Sequence, residues 1–313
     1  ELKKQANQKL RTYLKSWPVA TPVSLYQLFL KENEYQEYLQ VELPEPMTRQ
    51  TLTSLKKGVV NQEDLAPLLL IYFWLNGNDN KFHHVVVDEA QDFSPFQVAL
   101  LRDQTIQQSF TILGDLSQGI HDYKGIESWE EFQTCFSNDM YFELEKSYRS
   151  TMEIIEFANA VLTRGYQPVN LASPVFRSGD EVMVKQVPAN SQDQAIQEWV
   201  DQELAKGLKS LAIITRTEED GERLSDYLTS KGYLNSLFQG DEKAYNGGIS
   251  ILPVYLAKGL EFDAVLILDA DEANYNGHPR SAKLFYVGCT RALHHLTVYY
   301  QHTPSPLIPE DYL

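Results

Sequence analysis

The sequence predicts an α/β protein in which parallel sheets are covered by helices. Three observations support this fold class. The chain has 313 residues, enough for about two domains. Its hydrophobic fraction of 43% and charged fraction of 22% are typical of an ordinary globular protein. From His83 onward, short β-rich runs alternate with helix-length segments, which favours a parallel sheet with helices on both faces.

The segment from Glu1 to about Asn80 is predicted to be a helical flank. Apolar residues recur there at spacings of three and four positions, as at Leu25 and Leu28. The most hydrophobic run, LAPLLLIYFWL at 65–75, has 11 residues, whereas a membrane-spanning helix needs about 20. We therefore expect a buried helix at this run and no membrane anchor.

Strands and helices alternate through the rest of the chain. The predicted strands are HHVVV, FTILG, YFELE, EVMVKQV, LAIIT, ISILPV, DAVLILD and HLTVYY. The predicted helices are PFQVALLRD, TMEIIEFANAVL, QAIQEWVDQEL, EDGERLSDYLTSKG and AKLFYVGCTRAL. A loop-like stretch near Met140 predicts a boundary between residues 1–140, with the helical flank and a first α/β section, and a second α/β unit at 141–313. Three prolines after Thr303 predict an irregular tail.

The charge balance narrows the choice of partners. Lys and Arg number 27 and Asp and Glu number 43, so the net charge is -16. A surface this acidic repels a phosphate backbone, and any nucleic-acid contact must come from a local basic or aromatic groove. A basic protein is a more favourable partner for this acidic surface than a nucleic acid is.

The sequence shows no sign of export, of a disulfide framework or of a metal cluster. Residues 1–14 are charged and polar and lack the apolar core of a secretory signal, so we expect a cytoplasmic protein. Cys135 and Cys289 have no metal-ligand spacing. The histidines at 83–84 and 294–295 are adjacent, and on a strand adjacent side chains point to opposite faces.

Polar residues follow two of the predicted strands, at the end of a parallel sheet where ligands bind. The strand HHVVV ends in Asp88 and Glu89. This pair suits a magnesium nucleotide, with Asp88 holding the metal through water and Glu89 orienting the attacking water. An acidic turn that caps the next helix is the alternative. Gln118 follows the next strand and is placed to sense a terminal phosphate, although a strand that runs into a polar turn is a common pattern.

Three further segments carry residues suited to nucleotide binding. Tyr148 and Arg149 precede a helix whose N-cap is Ser150 or Thr151, and they offer a ring for base stacking and a guanidinium for phosphate. The other two segments are AKGLEFD at 257–263 and YVGCTRA at 286–292.

Taken in order, five of these segments resemble the motifs of a known family. DEAQD, GDLSQ, LEKSYRS, AKGLEFD and YVGCTRA are similar to motifs II to VI of the UvrD/Rep-like superfamily 1 DNA helicases. The resemblance runs from Val85 to about Tyr300. HHVVVDEAQDFSPFQ, PVYLAKGLEFD and KLFYVGCTRAL look most like the HelD subgroup, helicase-related proteins associated with bacterial RNA polymerase. The resemblance implies RecA-like lobes of the P-loop NTPase type, with the second lobe complete and the first partial.

The resemblance also implies a role for each matched residue, with ATP and Mg2+ as cofactors. It implies Asp88 for magnesium, Glu89 for water activation, Gln118, Arg149 and Arg291 for the γ-phosphate, Tyr148 for stacking on adenine, and Gly259 and Glu261 near phosphate and ribose. The implied reaction is phosphoryl transfer to water, in which two arginines and the metal stabilise the charge.

Two departures from the family pattern change the expected activity. The chain contains no G-x-x-x-x-G-K-[ST] phosphate loop. We therefore expect a C-terminal fragment whose missing N-terminal part supplies that loop, and we expect the fragment itself to be inactive. Arg149 and Lys258 are 109 positions apart, which leaves no room for the extra subdomain of many strand-separating relatives.

A third departure concerns single-stranded DNA. Pro253 and Tyr255 stand where relatives have Thr and His, and His121 stands where they have Tyr. Tyr123 and Lys124 still resemble an aromatic and basic pair on which bases stack. The sequence thus predicts His121, Tyr123, Lys124 and Tyr255 as nucleic-acid contacts, with DNA binding weakened.

The sequence leaves three functions open. The chain is the ATP-dependent motor portion of a UvrD-like DNA helicase, or an acidic, HelD-like module that binds and remodels RNA polymerase with little helicase activity. The third alternative is a structural α/β domain with a decayed site. Salt-dependent affinity for single-stranded DNA would favour the first and co-purification with polymerase the second.

Overall fold

A computed structural model describes residues 20–32, 43–77, 81–120, 125–136, 140–167, 171–240 and 247–313. The described chain divides into two compact units that interleave in sequence. The first unit draws on Glu1–Val87, Ser94–Ile112 and Phe132–Ser137, and the second on Asp88–Phe93, Leu113–Glu131 and Asn138–Leu313. The boundary at 140 that the sequence suggests stays a prediction.

The first unit consists of helices and one pair of short parallel strands. Its elements are α1 (Pro22–Lys31), α2 (Glu45–Lys56), α3 (Gln62–Asn76), α4 (Pro95–Arg102), β1 (Val85–Val87) and β2 (Phe110–Ile112). Capping boxes begin three of the helices, at Thr21 with Ser24 for α1, at Asn61 with Asp64 for α3 and at Ser94 with Gln97 for α4.

Helix α3 corrects one expectation from the sequence. The run 65–75 is helical as predicted, but it is not buried, since Trp74 is 75% exposed and Leu65 is 56% exposed. This helix is apolar on all sides, whereas α1 and α4 pack on only part of its surface. No helix in the described ranges is long and apolar enough to cross a membrane.

The second unit is built on a parallel sheet of six strands in the order β5-β10-β9-β6-β8-β7. The strands are β5 (Met183–Gln186), β6 (Ser210–Thr215), β7 (Asn235–Leu237), β8 (Gly248–Pro253), β9 (Phe262–Ile267) and β10 (Ala292–Tyr300). The helices are α5 (Met152–Gly165), α6 (Gln192–Ala205), α7 (Glu218–Ser230) and α8 (Pro279–Cys289). A separate parallel pair joins β3 (Lys146–Ser147) to β4 (Ser173–Pro174).

Each face of this sheet has its own hydrophobic core. On one face, Phe157 of α5 and Phe285 of α8 pack in the same cluster as Ile214. On the other face, Trp199 of α6 and Leu224 of α7 pack in the cluster that contains Ile213. The central strands are therefore buried on both sides, which explains their continuous apolar runs. The predicted α/β class, with parallel strands between helices, is confirmed.

One chain segment differs from the sequence prediction, and the predicted irregular tail is partly buried. The run YFELE was predicted as a strand, but only Lys146 and Ser147 pair, and 141–145 has no regular structure. Its apolar side chains are exposed, so no buried face holds them in a sheet. The tail after Thr303 is irregular as predicted, yet Leu307 and Ile308 are buried in the core that contains α5 and α8.

Candidate functional site

The two adjacent carboxylates directly follow β1. Glu89 has φ 52° and ψ 37°, a left-handed conformation that is uncommon for a residue other than glycine. Asp88 is exposed, and its Oδ1 accepts a hydrogen bond from the Glu89 backbone amide at 2.8 Å. Backbone strain of this kind clusters at functional sites, so the turn is a candidate site on geometry as well as on sequence.

The Glu89 carboxylate is held through one of its two oxygens. Gln91 Nε2 donates to Oε2 at 2.6 Å, and Lys258 Nζ lies 3.2 Å from the same oxygen. Burial opposes ionisation of Glu89, but the Gln91 hydrogen bond and the charges of Lys258 and Arg291 outweigh it and hold the pKa of Glu89 below its usual value. Glu89 is therefore an ionised carboxylate, and no donor in the described ranges contacts its Oε1, which leaves that oxygen able to bind water.

Gln91 connects the DEAQD and GDLSQ segments. It is completely buried, and its Oε1 accepts a hydrogen bond from the Asp115 backbone amide at 3.0 Å. Gly114 makes this approach possible, because a Cβ there would lie 2.4 Å from Gln91 Oε1 and 2.7 Å from the Trp129 ring. Asp115 in turn accepts a hydrogen bond from Gln118 Nε2 at 2.8 Å.

Lys258 connects the AKGLEFD segment to the DEAQD segment. Its side chain is only 11% exposed, and its Nζ lies 2.6 Å from Asp92 Oδ2 in addition to the contact with Glu89. The second oxygen of Asp92, Oδ1, is buried and has no hydrogen-bond partner among the described residues. Gly259 follows with φ +80°, a conformation that glycine adopts readily.

Arg291 is the largest fully buried side chain of the described residues. Its guanidinium donates to four neutral acceptors: the carbonyl oxygens of Val287 at 3.0 Å and Leu260 at 3.4 Å, Thr290 Oγ1 at 3.0 Å, and Gln118 Oε1 at 2.8 Å. The YVGCTRA and GDLSQ segments thus meet through an arginine and an amide.

The charge of Arg291 has no direct counter-ion in the described part of the chain, since no carboxylate oxygen there lies within 4.0 Å of it. Burial and the nearby Arg149 lower the pKa of Arg291 to about 10, although Glu89 and Glu261 act in the opposite direction. Arg291 remains charged at neutral pH. A buried cation of this kind is costly unless an anion pairs with it.

The second candidate arginine lies nearer the surface. Arg149 Nε is 2.7 Å from Glu261 Oε1, and the two side chains are 44% and 43% exposed. Tyr148, beside it, is 70% exposed. The ring predicted to stack on adenine is therefore accessible. The position of Glu261 near ribose stays a prediction.

These residues fit a magnesium nucleotide by the chemistry of their side chains. Arg291 and Arg149 provide two guanidiniums for an anion, and Asp88 provides a hard oxygen ligand. The described residues contain no group of three His, Cys, Asp or Glu side chains that could hold a metal.

Of the four predicted nucleic-acid contacts, the described residues include Tyr255. His121, Tyr123 and Lys124 lie outside the described residues. Tyr255 donates its hydroxyl hydrogen to Glu218, the first residue of α7. Desolvation and this carboxylate raise the pKa of Tyr255 to about 12.

Sequence reasoning did not identify three residues that organise the site. Gln91, Lys258 and Asp115 contact Glu89, Asp92 or Gln118 and set their positions. All three lie inside the segments DEAQD, AKGLEFD and GDLSQ. They could have been found from the sequence, because each is a polar residue inside one of these segments to which no ligand role had been assigned.

Two family models match the chain. One, described as the UvrD/REP helicase N-terminal domain, matches residues 5–134. The other, described as the UvrD-like helicase C-terminal domain, matches residues 248–299. Over these two ranges the chain is similar to the UvrD/Rep-like helicases of superfamily 1. Together with the parallel sheets, these matches agree with the RecA-like fold expected for UvrD/Rep-like proteins.

The similarity to individual relatives covers only part of the chain. It is 29% identical over 168 residues to the ATP-dependent DNA helicase UvrD1 of Mycobacterium bovis, which is 49% of this chain and 22% of that protein. It is 30% identical over 166 residues to the ATP-dependent DNA helicase PcrA of Staphylococcus aureus, which is 52% of this chain and 20% of that protein. The match thus spans about a fifth of the length of these two relatives.

A solved structure is also similar to the chain. It is the C-terminal domain of a possible DNA helicase from Lactobacillus plantarum. The sequence identity is 28% and the TM-score is 0.43, and the match covers 53% of this chain and 96% of that one.

Proposed function

We propose that the chain is the C-terminal motor portion of an ATP-dependent UvrD-like DNA helicase or translocase. The observation that carries this proposal is Arg291, a fully buried guanidinium that donates only to neutral acceptors in the described chain. The γ-phosphate of ATP would supply the anion that this cation lacks. The exposed Arg149 would approach the same phosphate from the solvent side.

The chain's own residues suggest how hydrolysis would proceed. Glu89 is fixed through Oε2 by Gln91 and Lys258, so its Oε1 would accept a hydrogen bond from the attacking water and orient it. Gln118 would contact both the phosphate and Arg291. Magnesium held by Asp88 would neutralise charge on the phosphates.

The proposal is tested by magnesium-dependent ATP hydrolysis in the intact protein, which we propose also carries the phosphate loop. Glu89→Gln should abolish turnover and leave nucleotide binding in place, because it removes the carboxylate and keeps the shape. Glu63→Gln, an exposed position in the first turn of α3, is the matched control. Turnover of Glu89→Gln equal to that of the control would reject the ATPase assignment.

A second candidate function is favoured by the surroundings of Tyr255. This predicted DNA contact is hydrogen-bonded to Glu218, and Glu219 and Asp220 complete an acidic first turn of α7. The carboxylates of Glu218 and Glu219 act on Tyr255, and their negative charge disfavours a phosphate backbone and favours a cationic protein surface. We therefore propose, as the finer alternative, a HelD-like protein that acts on RNA polymerase and separates strands poorly.

The two functions give different results in a paired experiment. The intact protein is used to capture RNA polymerase from cell extract after nuclease treatment, and its unwinding of duplex DNA is measured in parallel. Recovery of polymerase with weak unwinding would support the remodelling function. Robust unwinding with no polymerase recovered would reject it and leave the helicase.

A further inference from the structure

A short segment, Val175–Gly179, lies across the N-terminal end of α5, and we call it the strap. The backbone amide of Met152 donates to the carbonyl oxygen of Arg177 at 2.9 Å. Glu153, in the first turn of α5, accepts two more hydrogen bonds from the strap, from the Ser178 hydroxyl at 2.6 Å and from the next backbone amide at 2.8 Å. Three hydrogen bonds therefore fix the strap to the start of this helix.

The close approach of the strap depends on a glycine. A Cβ at Gly179 would lie 2.5 Å from Cγ2 and 3.0 Å from Cβ of Thr151, the N-cap residue of α5. No side chain fits at that distance without a shift of the backbone. The strap is thus seated directly on the residues that follow Arg149 and Ser150.

The side chain of Arg177 reaches from the strap to two other segments. Its Nη1 donates to the carbonyl oxygen of Arg149 at 2.9 Å. Its Nη2 lies 2.7 Å from Nδ1 of His294, which accepts this hydrogen bond in the tautomer that carries its hydrogen on Nε2. His294 lies in β10, three positions after Arg291. The Arg177 guanidinium therefore joins the backbone of Arg149 to β10, the strand that begins directly after Arg291.

A second hydrogen bond joins the same two segments. Ser150 is 1% exposed, and its hydroxyl donates to the carbonyl oxygen of Ala292 at 2.5 Å. Arg149 precedes Ser150 and Arg291 precedes Ala292, so both links lie within three residues of the two guanidiniums. The Arg177 bridge and the Ser150 bond hold the LEKSYRS and YVGCTRA segments in one relative position.

We propose that Arg177 is a positioning residue that sets the placement of Arg149 relative to Arg291. This inference rests on the proposed ATPase function. The side chain of Arg149 is nearly half exposed and its ion pair is with one surface carboxylate, a type of contact worth little by itself. The position of its guanidinium therefore depends on its backbone, and Arg177 holds that backbone. A planar guanidinium can donate to two acceptors at fixed angles, which a lysine ammonium does not do.

Kinetics of the intact protein test the proposal first. Arg177→Ala should lower kcat for ATP about 10-fold or more, because small misplacements of a reacting group are costly, and should leave KM unchanged. Arg177→Lys should also have a low kcat. If the alanine variant folds poorly, the lysine variant tests the same prediction in its place. Arg164→Ala is the matched control, since this arginine is exposed and, among the described residues, donates only to Ala160 in its own helix.

A double-mutant cycle separates positioning from general stability. If Arg177 acts through Arg149, Arg177→Ala should have no further effect on kcat in an Arg149→Ala background. A loss of the same size in both backgrounds would overturn the proposal.

A second measurement does not depend on ATP turnover. In the chain itself, exchange of the Arg149 Nε–H proton, observed by NMR, should be faster in Arg177→Ala than in Arg164→Ala, because the 2.7 Å contact with Glu261 loosens. Equal exchange in the two variants would overturn the positioning role. If the intact protein hydrolyses no ATP, the proposed function fails, and this exchange measurement still decides the role of Arg177.

Discussion

Arg291 donates a hydrogen bond to Gln118 Oε1 at 2.8 Å, across 173 positions of sequence. Gln118 is itself held by Asp115, and the Asp115 backbone amide is held by Gln91. A continuous set of hydrogen bonds therefore connects the buried arginine to the carboxylate of Glu89. A change at one of these residues is expected to alter the others.

Gly114→Ala should disrupt this set of hydrogen bonds. The new methyl group would overlap Gln91 Oε1 and the Trp129 ring, so the variant should lose about 1–3 kcal/mol of unfolding free energy in urea. Gly277→Ala is the control, because nothing lies within 4 Å of that position and its φ is ordinary. Equal stability of the two variants would show that Gln91 moves aside without cost.

The stability of the protein should depend on pH through Glu89. Its folded pKa lies below its usual value of 4.5, so its contribution is fully present above about that pH and is lost as the pH falls through the folded value. Between about pH 6 and about pH 3, wild type should therefore lose more unfolding free energy than Glu89→Gln. Lys258→Met removes one cause of the shift and should give an intermediate loss. Identical losses in wild type and Glu89→Gln would contradict the shift.

Local sequence was sufficient to predict the central strands and the site segments. LAIIT, ISILPV and DAVLILD form β6, β8 and β9, because continuous apolar runs of this length are typical of strands buried on both faces. The turn with Asp88 and Glu89 follows a strand as predicted.

Features that depend on distant residues could not be predicted. Lys258 meets Asp92 across 166 positions, and Tyr255 meets Glu218 across 37. The exposure of α3 and of residues 141–145 also depends on what packs against them, and an apolar run does not report that. The strap was missed because Arg177 has no pattern in the sequence and gains its role only from the fold.

The acidic first turn of α7 should weaken binding of single-stranded DNA. Replacing Glu218 and Glu219 with Gln should raise the affinity for single-stranded DNA at low salt. The change removes two negative charges beside Tyr255 that repel the DNA phosphates. The difference should vanish near 1 M salt, where the screening length is only about 3 Å. The paired change Glu310→Gln with Asp311→Asn, in the exposed tail, controls for net charge. An equal gain in both double variants would show that the effect is not local.

The 313-residue chain should not hydrolyse ATP by itself. It contains the carboxylates and the arginines but no G-x-x-x-x-G-K-[ST] loop to hold the phosphates. Phosphate release by the purified chain measures this. Magnesium-dependent turnover that Glu89→Gln abolishes would show that another part of the chain replaces the loop.

The assignment of Arg291 and Arg149 to the γ-phosphate is tested most directly by steady-state ATP hydrolysis in the intact protein. Arg291→Ala and Arg149→Ala should each lower kcat by about 10³-fold, the usual effect of an arginine that stabilises the transition state, with a smaller effect on nucleotide affinity. Arg164→Ala should retain normal turnover. Near-normal kcat for both arginine variants would contradict the account and show that the two residues serve only the structure.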